Sequence, residues 1–88
     1  MSIDNICSEL STSLIKLEKV TKDDQNFSWE IDLFDYGYLD SFGVVELLTE
    51  ISNIYNLDLT NEDFYKELRT IKAIANLIEL KLNEPKWI

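Results

Sequence analysis

The sequence predicts an all-α fold: three main helices, one short helix before the last of them, and a long loop after the first. Three observations predict it. Apolar residues recur at spacings of three and four in separate stretches, the pattern of helices that each bury one face. Only two glycines and one proline occur among 88 residues, so the chain lacks the punctuation that hairpins and sandwiches require. An apolar content of 45% is enough for one core, and no internal repeat or low-complexity tract divides the chain. The expected organisation is a single domain over 1–88, with a core at about 3–82 and a short tail at 83–88.

Ile3, Ile6, Cys7, Leu10, Leu14 and Leu17 form one stripe, which predicts a first helix from about residue 3 to 20, capped by Ser2. The polar run from Thr21 to Asn26 ends it. From Lys22 to Asp40 the large residues Phe27, Trp29, Ile31, Leu33, Phe34, Tyr36, Tyr38 and Leu39 follow no sustained period. The alternation from Phe27 to Leu33 imitates a strand, but no second strand exists to pair with it, and a lone edge leaves its backbone groups unsatisfied. The segment therefore reads as a loop pinned to the helices by its large side chains.

Residues 41 to about 56 carry the clearest pattern. At about 100° per residue, Val44, Leu47, Leu48, Ile51, Ile54 and Tyr55 share an arc that predicts the core face. Phe42, Val45, Glu46, Thr49, Glu50 and Asn53 share the opposite face, which puts two exposed apolar residues beside two carboxylates. Asn61 to Leu68, with Phe64, Tyr65 and Leu68 on one face, predicts a short helix of about two turns capped by Thr60 or Asn61. Glu62 and Asp63 fall in its first turn, where the helix dipole favours acids. Thr70 opens a last helix with Ile71, Ile74, Ala75, Ile78 and Leu82 in its stripe and Leu77 beside it, and Pro85 marks its end. Trp87 either packs a terminal turn or stands on an exposed tail.

Composition excludes whole classes of function. Eight basic and 17 acidic residues give a formal charge of −9, which repels phosphate backbones and favours a basic protein surface as partner. With no histidine, a Ser-His-Asp or Cys-His catalytic set cannot be assembled. The single cysteine, Cys7, lies in the first helix's apolar stripe and reads as a core residue, with no framework of disulfides; a cytoplasmic address is expected. No stretch approaches the roughly 20 apolar residues of a membrane span. The first 20 residues, with Asp4, Glu9, Glu18 and two lysines, do not read as a signal peptide.

Two acidic clusters have the composition of a metal site but not its pattern. Asp58 to Asp63 lacks the glycine turn and the terminal glutamate of an EF-hand loop and reads as a solvated turn. Asp32 and Asp35 flank Phe34 and read as Asx-turn acceptors in preference to weak metal ligands. No metal site and no catalytic residue is expected.

The remaining constellation is Asp35-Tyr36-Gly37-Tyr38-Leu39-Asp40-Ser41-Phe42. Gly37 permits a left-handed backbone, Leu39 staples the loop to the second helix, and either Asp40 or Ser41 is the N-cap. Capping accounts for the serine but not for Phe42 and Val45 on a solvent face.

Here the sequence resembles the acyl carrier proteins, including the peptidyl and D-alanyl carrier proteins. Their Asp-Ser-Leu type motif stands here as Leu39-Asp40-Ser41-Phe42, preceded by Asp32-Leu33-Phe34-Asp35-Tyr36-Gly37 and followed by Gly43-Val44-Val45-Glu46-Leu47-Leu48, and the match spans roughly residues 3 to 82. The resemblance implies a four-helix carrier bundle; a monomer is expected because the one unusual apolar patch is small and would be occupied by successive enzymes in place of a second copy. It implies that Ser41 takes a covalent 4′-phosphopantetheine from coenzyme A, through a separate phosphopantetheinyl transferase, with Asp40 beside it. It implies a carrier that is not an enzyme, holding acyl or aminoacyl groups as thioesters for a loading ligase or synthetase and for downstream acyl transferases with basic docking surfaces. Asp40, Glu46 and Glu50 would meet those bases, and Phe42, Val45 and Thr49 would complete the partner-facing strip.

The sequence departs from the fatty-acid pattern at Gly43, where an acid is usual, and at Ser52 and Asn53, where glutamates are usual. It is closer to D-alanyl and other amino-acid carriers served by an adenylating ligase. Tyr55, Phe64 and Tyr65, placed in the core, would limit an internal acyl pocket. The alternative is a non-catalytic acidic interaction module in which Ser41 is only a cap. A small carboxylate hydrolase has no supporting geometry.

Overall fold

In the computed structural model, which describes residues 2–84, three α-helices carry the fold: α1 (Ile3–Lys16), α2 (Ser41–Tyr55) and α3 (Ile71–Leu82). Among the described residues there is no strand, and the chain between α1 and α2 is loop and turns. The sequence expectations for Pro85 and Trp87 lie outside the described residues.

Each helix buries the stripe that its spacing predicted. Ile6, Cys7, Leu10 and Leu14 of α1 meet Val44, Leu47, Ile51 and Tyr55 of α2 and Ile71, Ile74, Ala75 and Ile78 of α3 in one core. The connectors add Val20, Leu33, Leu39, Leu59, Phe64 and Leu68. Two expectations fail at helix ends. Ile54 is 42% exposed on α2 and Leu82 38% exposed on α3, because a straight helix turns its last residues past the edge of the partners it packs on.

The first helix stops at Lys16, not near residue 20. Glu18 adopts the left-handed conformation (φ 64°), its N–H donates to the Ile15 carbonyl at 3.0 Å, and the Lys19 N–H donates to the Leu14 carbonyl at 2.9 Å. This is a Schellman closure, ordinarily made with glycine at the left-handed position. Glutamate there gave no stop signal, and Leu17, one residue past the helix end, carried the apparent period up to the polar run that begins at Thr21. Because a side chain in the left-handed region costs about 1 kcal/mol, Glu18→Gly is expected to raise unfolding stability by about 0.5–1 kcal/mol, read from the denaturant midpoint.

The short helix expected over 61–68 is a run of turns. Its one backbone bond of helical span joins the Glu67 N–H to the Asp63 carbonyl at 3.0 Å, and the Asp63 carboxylate accepts the Lys66 N–H at 3.1 Å. Phe64 and Leu68, four apart, are buried as their spacing predicted, but Tyr65 is 49% exposed and does not belong to the core. Two anchors one turn apart fix a single turn, and so short a segment does not recover the cost of nucleating a helix.

The long loop is tied down at both walls. The Leu33 N–H donates to the Arg69 carbonyl at 2.7 Å, and the Trp29 carbonyl accepts the Lys72 N–H at 2.9 Å. The indole N–H of Trp29 donates to Ser11 Oγ at 3.2 Å, so one residue joins the loop to α1 and α3. Phe27 packs edge-on to Tyr38 with centroids 5.5 Å apart, and the Tyr38 hydroxyl donates to Asp24 at 2.8 Å. Tyr36 is the exception to the pinned loop, at 65% exposure.

Arg69 closes this arrangement. Its guanidinium grips the Asp32 carboxylate at 2.6 and 3.1 Å, reaches Asp35 at 3.0 Å and the Tyr65 carbonyl at 2.7 Å, and lies over the Phe34 ring at 5.0 Å. Hydrogen bonding from Arg69 holds the Asp32 carboxyl below the ordinary aspartate value of 3.8. Asp24 is lowered by the Tyr38 hydroxyl and Asp58 by the Thr60 side chain. All three groups have depressed folded-state values, so their contribution is present above 3.8 and is lost as pH falls through those values. The denaturation midpoint is expected to drop below pH 3.8, and Asp32→Asn to flatten part of that drop.

Candidate functional site at the start of the second helix

The approach to α2 is built by short-range bonds. Asp32 Oδ1 accepts the N–H groups of Phe34 at 3.0 Å and Asp35 at 2.9 Å, the Asx-turn role read from the sequence. Gly37 follows with φ 78°, and the N–H groups of Tyr38 and Leu39 both donate to the Leu33 carbonyl, at 2.8 and 3.0 Å. Leu39 is then buried in the core together with Val44, the positions of a hydrophobic staple across the helix start.

Of the two candidate caps, Asp40 is the one used. Its backbone is extended (φ −126°), and its carboxylate accepts the Gly43 N–H at 2.7 Å. Ser41 is thereby the first residue inside the helix, exposed, and no hydrogen bond among the described residues engages its hydroxyl. The N–H groups of Ser41 and Phe42 likewise have no acceptor among the described residues, as the first N–H groups of any helix lack one within it. The backbone at Gly43 is closely approached: a Cβ there would lie 3.1 Å from Leu39 Cδ2 and 3.3 Å from the capping Asp40 oxygen, so a larger residue would push on the staple and the cap.

The outward strip of α2 continues through Phe42 (69% exposed), Val45 (59%) and Thr49, whose hydroxyl donates to the Val45 carbonyl at 3.1 Å. Val45 and Thr49 also border a cleft of about 310 Å³ shared with Leu48, Leu57 and Thr60. Glu46 and Glu50, which the sequence placed on this strip beside Phe42 and Val45, are both partly buried in ion pairs. Lys19 Nζ stands 2.7 Å from Glu46, and Lys16 Nζ stands 3.1 Å from Glu50. Bonding to Glu46 raises the Lys19 ammonium above its ordinary value, and the same ammonium sits 5.9 Å from the centre of the Phe42 ring.

Sequence reasoning missed Lys16, Lys19 and Arg69, because the carboxylates they meet lie 27 to 37 positions away in the chain. The available signal was the placement of two lysines in and just after the last turn of the first helix.

A second cleft, of about 370 Å³, runs between α1 and α2 and is lined by Ser8, Thr12, Lys16, Glu50 and Ile54 among others. It lies at the far half of α2, nine residues and about 13 Å along the helix from Ser41. Titratable groups in the core offer no chemistry near neutral pH. Burial raises the Cys7 thiol and pushes the Tyr55 hydroxyl up to about 12. Among the described residues no group of three or more Cys, Asp or Glu side chains is placed to hold a metal ion.

Comparison with known proteins gives the family. Residues 9–78 match the family model described as a phosphopantetheine attachment site. The chain is 34% identical over 71 residues to a D-alanyl carrier protein of Streptococcus suis, an alignment covering 78% of this chain and 90% of that protein. It is 38% identical over 50 residues to the D-alanyl carrier proteins of Streptococcus equi subsp. zooepidemicus and subsp. equi, covering 57% of this chain and 63% of each of those. No solved structure matches. Among the described residues no helix is long and apolar enough to cross a membrane. A family match over most of the chain, on an all-helical frame that delivers an Asp-Ser pair to a helix start, means that this protein belongs to the acyl and peptidyl carrier proteins, which carry a covalent 4′-phosphopantetheine.

Proposed function

We propose that Ser41 is the attachment position of the 4′-phosphopantetheine and that the chain carries aminoacyl or acyl groups of the D-alanyl type between partner enzymes. The observation that carries this reading is the division of labour at the helix start: Asp40 does the capping, which leaves the Ser41 hydroxyl exposed and uncommitted. The unpaired N–H groups of Ser41 and Phe42, at the positive end of the helix dipole, suit a phosphodiester at that oxygen. The group supplies a terminal thiol that holds the cargo as a thioester.

What this chain contributes is presentation. The serine needs no base of its own, because the base and metal ion for its modification belong to the transferase. Phe42 and Val45 give a transient partner a small apolar contact beside the modified residue, and Asp40 marks its edge. The similarity to D-alanyl carrier proteins, together with Gly43, Ser52 and Asn53 in place of the acids usual in fatty-acid carriers, supports an amino-acid cargo loaded by an adenylating ligase. The cargo is chosen in that ligase's pocket.

The test is a mass measurement. Purified protein is incubated with coenzyme A, magnesium and a broad-specificity phosphopantetheinyl transferase; one added phosphopantetheine per chain is expected, and no mass gain would overturn the reading.

A further inference from the structure

The charge of this protein is distributed unevenly: beyond the capping Asp40, the helix that begins at Ser41 carries acids only where lysines meet them. The chain carries −9 overall, yet α2 contains only two ionisable acids, Glu46 and Glu50, and each is met by a lysine from α1 or its closing turn. The remaining outward residues, Ser41, Phe42, Val45, Thr49, Ser52 and Asn53, are uncharged. The Schellman turn that ends α1 early swings Lys19 toward α2. The Lys19 stem passes close to Gly43, where a Cβ would make ordinary contact with Cε at 3.5 Å. Glu50 is paired through both oxygens, at 3.1 and 3.3 Å, with its side chain 13% exposed.

We infer that Lys16 and Lys19 are specificity-determining residues that neutralise the second helix, so that it docks on a partner surface that is apolar and uncharged at its centre, not on a basic patch. This rests on the reading of Ser41 as the modified residue and of α2 as the docking helix. The argument is one of charge summation. An arginine or lysine brought to Glu46 or Glu50 meets a resident ammonium and gains no net attraction. An apolar pocket receiving Phe42 and Val45 meets carboxylates that are already paired and need not be stripped of water alone. The lysine frame thus favours one class of partner and rejects the other, for which unpaired acids would be an attraction.

The sign of one mutational effect decides it. The KM of the apo protein is measured for transfer from coenzyme A by the same transferase, at low and high ionic strength, with the KM for coenzyme A as the internal control for the enzyme's own response to salt. Wild type is expected to show a KM that changes by less than about twofold. Lys16→Met/Lys19→Met exposes two unpaired carboxylates and is expected to raise KM several-fold at low salt. Adding Glu46→Gln/Glu50→Gln to that variant is expected to restore the wild-type value, which also shows that the loss was electrostatic and not a failure to fold. A KM that falls or stays unchanged when the lysines are removed, or a steep salt dependence in wild type, overturns the inference while leaving the carrier reading intact. Absence of any loading overturns the carrier reading itself.

Discussion

Ser41→Ala is expected to abolish phosphopantetheine loading while leaving the fold untouched. The serine sits at the first helical position, exposed, with the capping bond made by its neighbour. Alanine is the better helix former there, and a surface substitution away from a cap or core contact stays within about 0.5 kcal/mol of neutral. Asp40→Ala should behave in the opposite way. It removes the bond to the Gly43 N–H at 2.7 Å, costs about 1 kcal/mol of stability, and keeps the hydroxyl that is loaded. Intact mass and the denaturant midpoint, measured on both variants, separate the two roles. A Ser41→Ala protein that still gains mass would place the attachment elsewhere; one that loses its structure would make the serine a cap after all, as the interaction-module alternative holds.

Leu33→Ala is expected to be the most damaging single change in the loop, at about 2–5 kcal/mol. The side chain is fully buried, and its backbone is the hub of the approach to α2: the N–H reaches Arg69 and the carbonyl takes the N–H groups of Tyr38 and Leu39. A domain of this size holds only about 4–13 kcal/mol in all, so the loss is a large part of the whole. Its consequence reaches the site, because the segment that loosens is the one that fixes Asp40 and Ser41. Tyr36→Ala, three residues on and 65% exposed, is expected to change stability by no more than about 0.5 kcal/mol. Equal midpoints for the two variants would remove the pinned-loop account.

Most of the helical frame and the candidate serine were legible because their signals are local. The 3.6 period needs only neighbours within a turn, and it located the stripes of α1, α2 and α3. Ser2 and Thr70 were legible as caps because a cap acts on a residue three positions away, and here they accept the N–H groups of Asn5 and Ala73. The errors lie where a local signal was absent or overridden. Glu18 closes α1 in a conformation that glutamate does not advertise, and the turns over 61–68 have the right apolar spacing but too few residues to hold a helix.

Charge patterning located the acids but not what they pair with. On the sequence, Glu46 and Glu50 are two acids beside two apolar residues; in the structure they are the inner halves of ion pairs whose outer halves come from another element. Asp32 read correctly as a turn acceptor, but its second role, as the anchor of Arg69, was invisible from its neighbours.

The sequence alone determined that the chain is helical, that its core is made of three apolar stripes, and that Asp40-Ser41 stands where a helix begins, since each of these follows from residues within one turn of each other. Only the tertiary structure decided that Ser41 is left uncommitted, that Trp29, Leu33 and Arg69 hold the loop, and that both acids of the second helix are paired with lysines. The first is a choice between two neighbouring caps that the spacing left open, and the others depend on groups 18 to 43 positions apart being brought within hydrogen-bond reach, which no period or spacing along the chain encodes.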